Sequence, residues 1–457
     1  MTRIFPIIKA ACPVVLMVLL AVSSHAAQQP RPNVVVIVSD DAGYDDFSMH
    51  GGFPTPRIDS IAAAGVRFTD GYVSGCVCSP TRAGLMTGRY QQRFGHETNF
   101  PPVVSERNGL PLAERTFADR MRAGGYRTVA IGKWHLGYTP AFHPLSRGFD
   151  TFYGFLQGSR SYLPLPRPER MNTLMRDREP VAETFSYMTD ELAREAACQV
   201  AAHRERPFFL YVAFNAVHAP NQALPADLER ARSLAPRRVE VAAMTLALDR
   251  GVGTILDALD AGGLADDTLV VFVNDNGGPP GHDNGGLRGR KGSMWEGGIR
   301  VPFLVRWPRR LARGRVVADP VIALDILPTA LSAAGIDIAV DEFDGVNLLP
   351  HLDGATESPP HDVLHWRQGE RWAVRGGNLK LVHAEPGAPM LFDLKADRGE
   401  NNDLAARQPA DAARLQRLHD EWSRGMAQPI AWVGREPAAP PKRGRSRAPA
   451  ARESAAN

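Results

Sequence analysis

The chain has 457 residues, 44% of them hydrophobic and 23% charged, with a formal net charge of +3. That length holds one large α/β domain plus a smaller appendage, in a composition ordinary for a globular protein. Residues 436–457 carry +3 and residues 1–26 carry +2, which leaves 27–435 at −2 and excludes a body built for nonspecific binding to nucleic-acid backbones.

Residues 1–26 read as a signal peptide. Arg3 and Lys9 precede an apolar run at 12–22, and Ser24-His25-Ala26 offers small residues at −3 and −1 of a cleavage site. The run is too short to span a bilayer comfortably, so the expectation is an exported protein, periplasmic or extracellular, without stable membrane insertion. Cleavage removes Cys12 and leaves Cys76, Cys78 and Cys198, too few for a disulfide scaffold.

From residue 33 to 306, short β-branched runs alternate with helical segments, the pattern of strands buried on both faces of a parallel sheet. The runs are 34–38, 128–131, 208–214, 269–273 and 302–305. After the first come Asp40 and Asp41. Next along the chain, Cys78-Ser79-Pro80-Thr81-Arg82 predicts a helix with Pro80 at its first position and Ser79 as cap. Cys78 then sits beside a helix N-terminus, where free N–H groups favour an anion. Read locally, Cys78 is equally a nucleophile, a free thiol, or half of a cystine with Cys76.

Lys133 and His135 follow the second run, and share a face if that stretch is extended. His218 follows the third. A helix with Leu248, Val252, Ile255, Leu256 and Leu259 on one face stops at Gly262-Gly263. Asp275 and Asn276 follow the fourth run. Polar groups therefore recur just past strand C-termini, the edge where open α/β sheets bind ligands. The spacing predicts a catalytic domain over 27–350.

Segments 363–366, 372–375, 379–383 and 390–394 read as short antiparallel strands. Leu415, Leu418 and Trp422 mark a last helix, giving a 351–435 subdomain. Residues 436–457 have almost nothing to bury and are expected to be a disordered basic tail.

Cys-Ser-Pro-Thr-Arg at 78–82, followed by AGLMTGRY at 83–90, resembles the signature of the type I, formylglycine-dependent sulfatases of the alkaline phosphatase-like superfamily. Stretches 33–43, 55–89, 132–137 (GKWHLG), 147–154 (RGFDTFYG), 275–302 and 391–404 resemble that family too, in its order, across roughly residues 30–430. The resemblance implies a large mixed, mostly parallel sheet sandwiched by helices, with a smaller C-terminal antiparallel sheet plus helix. It implies that a dedicated maturation enzyme oxidises Cys78 to formylglycine (3-oxoalanine). One hydroxyl of the hydrated aldehyde attacks sulfur, and the other then expels sulfate. By position, Asp40, Asp41, Asp275 and Asn276, together with residue 78, match the family's ligands to one calcium ion, with magnesium possible. Oxygen donors of this kind suit a hard cation and argue against zinc. Arg82 neutralises charge at residue 78 and helps orient it. His135 takes a proton from the diol, and Lys133 contacts diol and sulfate. His218 and Lys291 bind the ester, either placed to protonate the leaving alcohol. Asp45 and Asp46 are read as loop carboxylates.

Export and the resemblance favour a sulfated carbohydrate as substrate. Arg160, Tyr162, His282, Asp283 and Asn284 are the candidate contacts to it. Two alternatives remain: a formylglycine-dependent phosphonate or phosphate ester hydrolase, and an inactive sulfated-glycan binding protein.

Overall fold

The computed structural model describes Thr2 and residues 31–434 except 169–170, 340 and 385. The expected signal peptide (Thr2 aside) and basic tail lie outside the described residues.

The first strand, β1 (Asn33–Ser39), is buried at all seven positions. Alternate side chains feed two separate cores, Val34, Val36 and Val38 on one face and Val35 and Ile37 on the other. Such a strand needs cover on both sides, which is why its sequence runs apolar without alternation.

In chain order there follow α1 (Pro56–Ala63), β2 (Val66–Phe68), β3 (Gly71–Tyr72), α2 (Cys78–Thr87), α3 (Phe117–Ala123), β4 (Arg127–Lys133) and β5 (Thr151–Phe155). Next come β6 (Met175–Arg176), β7 (Glu179–Pro180), α4 (Met188–Ala202), β8 (Phe208–Ala213), α5 (Pro225–Leu234), α6 (Val239–Ala261) and β9 (Thr268–Asn274). The main sheet region closes with α7 (Glu296–Ile299), β10 (Phe303–Arg306), β11 (Arg315–Val317), β12 (Val321–Ile322), α8 (Ile326–Ala333) and α9 (Leu349–Leu352).

Among the described residues, ten strands form one sheet in the order β11-β2-β10-β9-β1-β8-β4-β5-β6-β7. Strands β9, β1, β8, β4 and β5 are mutually parallel, whereas β10 runs antiparallel to both its neighbours. Helices α2, α3 and α8 cover one face, and α1, α4 and α6 the other. Val38 pairs with both Ala213 and Val273, and Gly132 with Ala213, so the C-terminal ends of four strands finish level. Gly132 has φ +96°, and a Cβ there would lie 2.1 Å from the Ala213 carbonyl oxygen, so only glycine fits this point of closest approach.

Strands β13 (Val363–Gln368), β14 (Arg371–Gly376), β15 (Leu379–His383) and β16 (Met390–Asp393) form an antiparallel sheet, packed on α10 (Pro409–Arg424). Its other face shares a core with the larger sheet's surroundings, where Trp366, Val382 and Phe392 meet Tyr72, Ile299 and Leu324. Beside that core, Lys380 bridges Glu296 and Glu400 at 2.8 and 2.9 Å, with all three side chains fully buried. Among the described residues no helix is long and apolar enough to cross a membrane.

Candidate active site

The level strand ends deliver their next residues to one place. Backbone hydrogen bonds lace the loops together: Asp40 N to Ala216 O, Val217 N to Asp40 O, and Asp275 N to Ser39 O. Asn274, the last residue of β9, adds a side-chain clamp. Its Oδ1 accepts from Ser39 Oγ (2.9 Å) and its Nδ2 donates to Ala42 O (2.8 Å). Sequence reasoning assigned Asn274 no role; its position at a strand end beside Asp275 was the signal available.

Helix α2 begins at Cys78, with extended Val77 as its N-cap, two residues earlier than the sequence reading placed it. Pro80 therefore stands at the third helical position, where its missing N–H still costs nothing. Ser79 is not the cap. Its hydroxyl is occupied elsewhere, donating to His135 O at 2.8 Å and paired with His96 Nε2 at 2.8 Å. Among the described residues Cys76, Cys78 and Cys198 are unpaired, so the Cys76–Cys78 cystine is not formed.

Cys78 is 1% exposed and its Sγ lies 3.6 Å from Asp40 Oδ1. Burial, reinforced by Asp40 and Asp275 against Lys133 and Lys291, pushes the thiol up to about 12. One ligand atom each from Asp40, Asp41, Cys78 and His218 falls within 4.8 Å of the others. Arg82 Nη2 lies 2.8 Å from Asp275 and 3.7 Å from Asp40. Lys133 Nζ bonds Asp40 at 2.5 Å, and Lys291 Nζ lies 2.6 Å from Asp41. His218 Nε2 is 3.5 Å from Asp41.

Three carboxylates thus face three cations in a site that is almost wholly buried. Burial raises the Asp40 carboxyl, but Lys133, His218 and Arg82 outweigh it and hold it below its ordinary value. Asp275 moves the other way, raised by burial and by Asp40 in spite of Arg82 and the lysines. This is the like-charge crowding that a bound cation relieves. Asn276 donates Nδ2 to Asp41 Oδ1 (2.7 Å), while its Oδ1 is buried without a hydrogen-bond partner among the described residues. A buried amide oxygen with nothing to accept is costly, and with three carboxylates beside it suits a hard, oxygen-liganded cation.

Lys133 and His135 do not lie on one extended face. β4 ends at Lys133 and His135 takes φ +57°. The His135 ring instead packs on Phe100, at 5.5 Å between centroids, and on the backbone of Gly158. Burial first, then Lys133 and Arg82, hold its imidazole well below the usual value, which favours the neutral ring.

The five nominated substrate contacts divide. Arg160 is fully buried in an ion pair with Glu183 (2.7 Å), and Tyr162 is buried with its hydroxyl donating to Asn215 O and His218 O. Both brace loops and neither faces solvent. His282 bonds Asp46 (2.9 Å), and Asn284 bonds both backbone groups of Gly278. Only Asp283 has a substantially exposed side chain. Asp46 is fully buried, holding His282, Arg238 and Gly43 N, and so ties the Asp40–Asp41 loop to the 278–286 loop.

Residues 32–336 match the family model described as Sulfatase, and residues 290–426 the one described as N-sulphoglucosamine sulphohydrolase, C-terminal. Arylsulfatase A of Bos taurus is 34% identical over 446 residues, covering 84% of this chain and 85% of that protein. Steryl-sulfatase of Mus musculus is 32% identical over 509 residues, covering 85% and 81%. Among solved structures, Ps i-CgsB in complex with k-i-k-neocarrahexaose is similar with a TM-score of 0.83 and 34% identity, over 88% of this chain and 94% of that one.

Proposed function

Because the chain belongs to the sulfatase family and is a sulfuric ester hydrolase, we propose that it removes sulfate from a sulfated carbohydrate, using residue 78 as formylglycine beside one calcium ion. The observation that carries this reading is the convergence of Cys78, Asp40, Asp41 and His218 within one small volume, ringed by Arg82, Lys133 and Lys291. The carbohydrate is suggested by Ps i-CgsB, whose complex holds a neocarrahexaose. Export by residues 1–26 and maturation by a separate enzyme belong to the same proposal.

Asp40, Asp41, Asp275 and Asn276 are the residues that would hold the cation, which supplies Lewis acidity toward sulfate oxygens and a fixed positive charge. Oxidation of Cys78 to an aldehyde, followed by addition of water, would supply a hydroxyl nucleophile and a route for releasing sulfate. The chain's own side chains do the remaining work. Lys291 and His218, at 19% and 21% side-chain exposure, are the members of the site open enough to meet an incoming ester. They bind its anionic end and deliver a proton to the departing alcohol. Lys133 and Arg82 fix the carboxylates around residue 78 and offset negative charge as sulfate accumulates there. His135, neutral and buried, accepts the proton released when sulfate leaves.

Mass spectrometry of the Cys78 peptide, from protein made in its native host, tests the reading first. Conversion of thiol to aldehyde lowers the mass by about 18 Da. That shift, with sulfate released from sulfated sugars, is the expected result. Full activity with an unmodified Cys78 refutes the mechanism. Turnover of phosphonate or phosphate esters in place of sulfates assigns the chain to the alternative chemistry.

A further inference from the structure

His135 lacks the support a proton-transferring histidine ordinarily has. Such a ring is usually oriented by a hydrogen bond on its far nitrogen, yet His135 Nδ1 is buried with no partner among the described residues. Its backbone is held, with N donating to Leu156 O and O accepting from Ser79 Oγ. The orientation of the ring therefore falls to packing.

One packing neighbour is Phe100, itself 4% exposed, and behind Phe100 stands Trp432 at 5.4 Å between centroids. Trp432 lies beyond α10, on a stretch that returns to the larger domain. Ala427 N donates to Gln92 O, Ile430 N to Gly95 O, and Val433 N to Asn108 Oδ1. The indole N–H donates to Thr98 O and Oγ1 at 3.1 and 3.0 Å, which locks the ring plane. Trp432 also packs on His96 at 4.8 Å, and His96 holds the hydroxyl of Ser79, the neighbour of residue 78. A close-packed interior transmits such contacts with little slack.

We propose that Trp432 is a positioning residue, fixing the His135 ring through Phe100 and the Ser79 turn through His96. The proposal rests on the reading of His135 as proton acceptor. It makes the last described stretch of the chain part of the catalytic apparatus, although it touches no reacting atom.

The test uses full-length protein, with kcat and KM for a chromogenic aryl sulfate normalised to the matured fraction, and a thermal melt. Trp432→Leu is expected to lower kcat about 10- to 100-fold, the scale of an ångström-sized misplacement, with KM within about 2-fold. Trp432→Phe, which keeps an aromatic ring, is expected to retain kcat within about 3-fold. A Trp432→Leu protein with lowered Tm and wild-type kcat overturns the proposal, and so does a Phe variant as impaired as the Leu one. If Trp432→Leu fails to fold, Phe100→Leu reads the same contact, and wild-type kcat there is equally fatal. His135→Ala separates the two readings. Wild-type turnover in that variant sinks the proton-acceptor role and this proposal with it, whereas an inactive His135→Ala beside a fully active Trp432→Leu sinks this proposal alone.

Discussion

A single methyl group placed at Gly158 should disable the site while leaving the fold standing. A Cβ there would lie 2.5, 2.6 and 2.8 Å from Cε1, Nε2 and Nδ1 of His135. To reach ordinary van der Waals contact the ring must retreat by about 1 Å. Phe100 already packs against that ring at 5.5 Å, so the movement must also disturb a buried aromatic cluster. The backbone at Gly158 is outside the left-handed region, so alanine is acceptable there apart from this clash. Overpacking of this kind costs about 1–3 kcal/mol, partly offset by about 0.4–1 kcal/mol from a stiffer unfolded chain. The functional loss is larger in proportion, since a 1 Å displacement of a reacting group costs about 100-fold, or about 2.7 kcal/mol of barrier. Gly158→Ala should therefore lose about two orders of magnitude in kcat for an aryl sulfate, with a Tm lowered by only a few degrees. A variant with kcat within 2-fold of wild type would refute the reasoning, because it would mean that the ring either moves freely or has no need to stay.

Three further outcomes follow from the same contacts. Lys380→Met removes the cation between Glu296 and Glu400 and should cost about 3 kcal/mol near neutral pH, as expected for breaking a buried pair. Burial and Glu296, against Lys380, already raise the Glu400 carboxyl to about 7, and loss of Lys380 raises it further. A carboxyl raised on folding loses its stabilisation as pH rises through the folded value, so the deficit should widen from pH 7 to 9 in thermal melts; a constant or shrinking gap contradicts the account. Calcium added to chelator-stripped protein should raise Tm, by the equivalent of about 2.7 kcal/mol at one hundred times Kd, and Asn276→Leu should largely abolish the rise. An undiminished rise in the variant removes Asn276 from the ligand set. His365 and His419 stack on Trp422 and Trp372 at 4.8 and 4.1 Å, and burial above all lowers them to about 3 and about 4. The unfolded chain then takes up their protons first as pH falls below 6.5. Each should remove about 1.4 kcal/mol per pH unit down to its folded value, with no further loss below it. Tryptophan fluorescence should accordingly report a shallower loss of stability between pH 6.5 and 4 in His365→Phe; identical slopes would count against the assignment.

The strands of the parallel core were legible because a strand buried on both faces has no polar position to interrupt it, as in Val34 to Val38. The acidic and basic residues after those strands were legible for a related reason, since only a strand's end can carry charge out of such a core into a cleft. Short pieces such as β2, β11 and β12 left no comparable pattern, because two or three residues are too few for any periodicity to register. Side-chain direction was also out of reach. Arg160 and Tyr162 look like loop residues available to a ligand, and only the packed structure turns them inward, onto Glu183 and onto the carbonyls of the His218 loop. Ser79 reads as a cap until His96 and the His135 carbonyl, both distant in sequence, claim its hydroxyl. The sequence by itself determined which residue types gather at one sheet edge, because the local alternation of strand and helix dictates that edge. Tertiary structure alone decided which of them meet, and that His135 packs on Phe100 and Phe100 on the distant Trp432, because contacts between distant segments depend on how the layers close and leave no trace in local spacing.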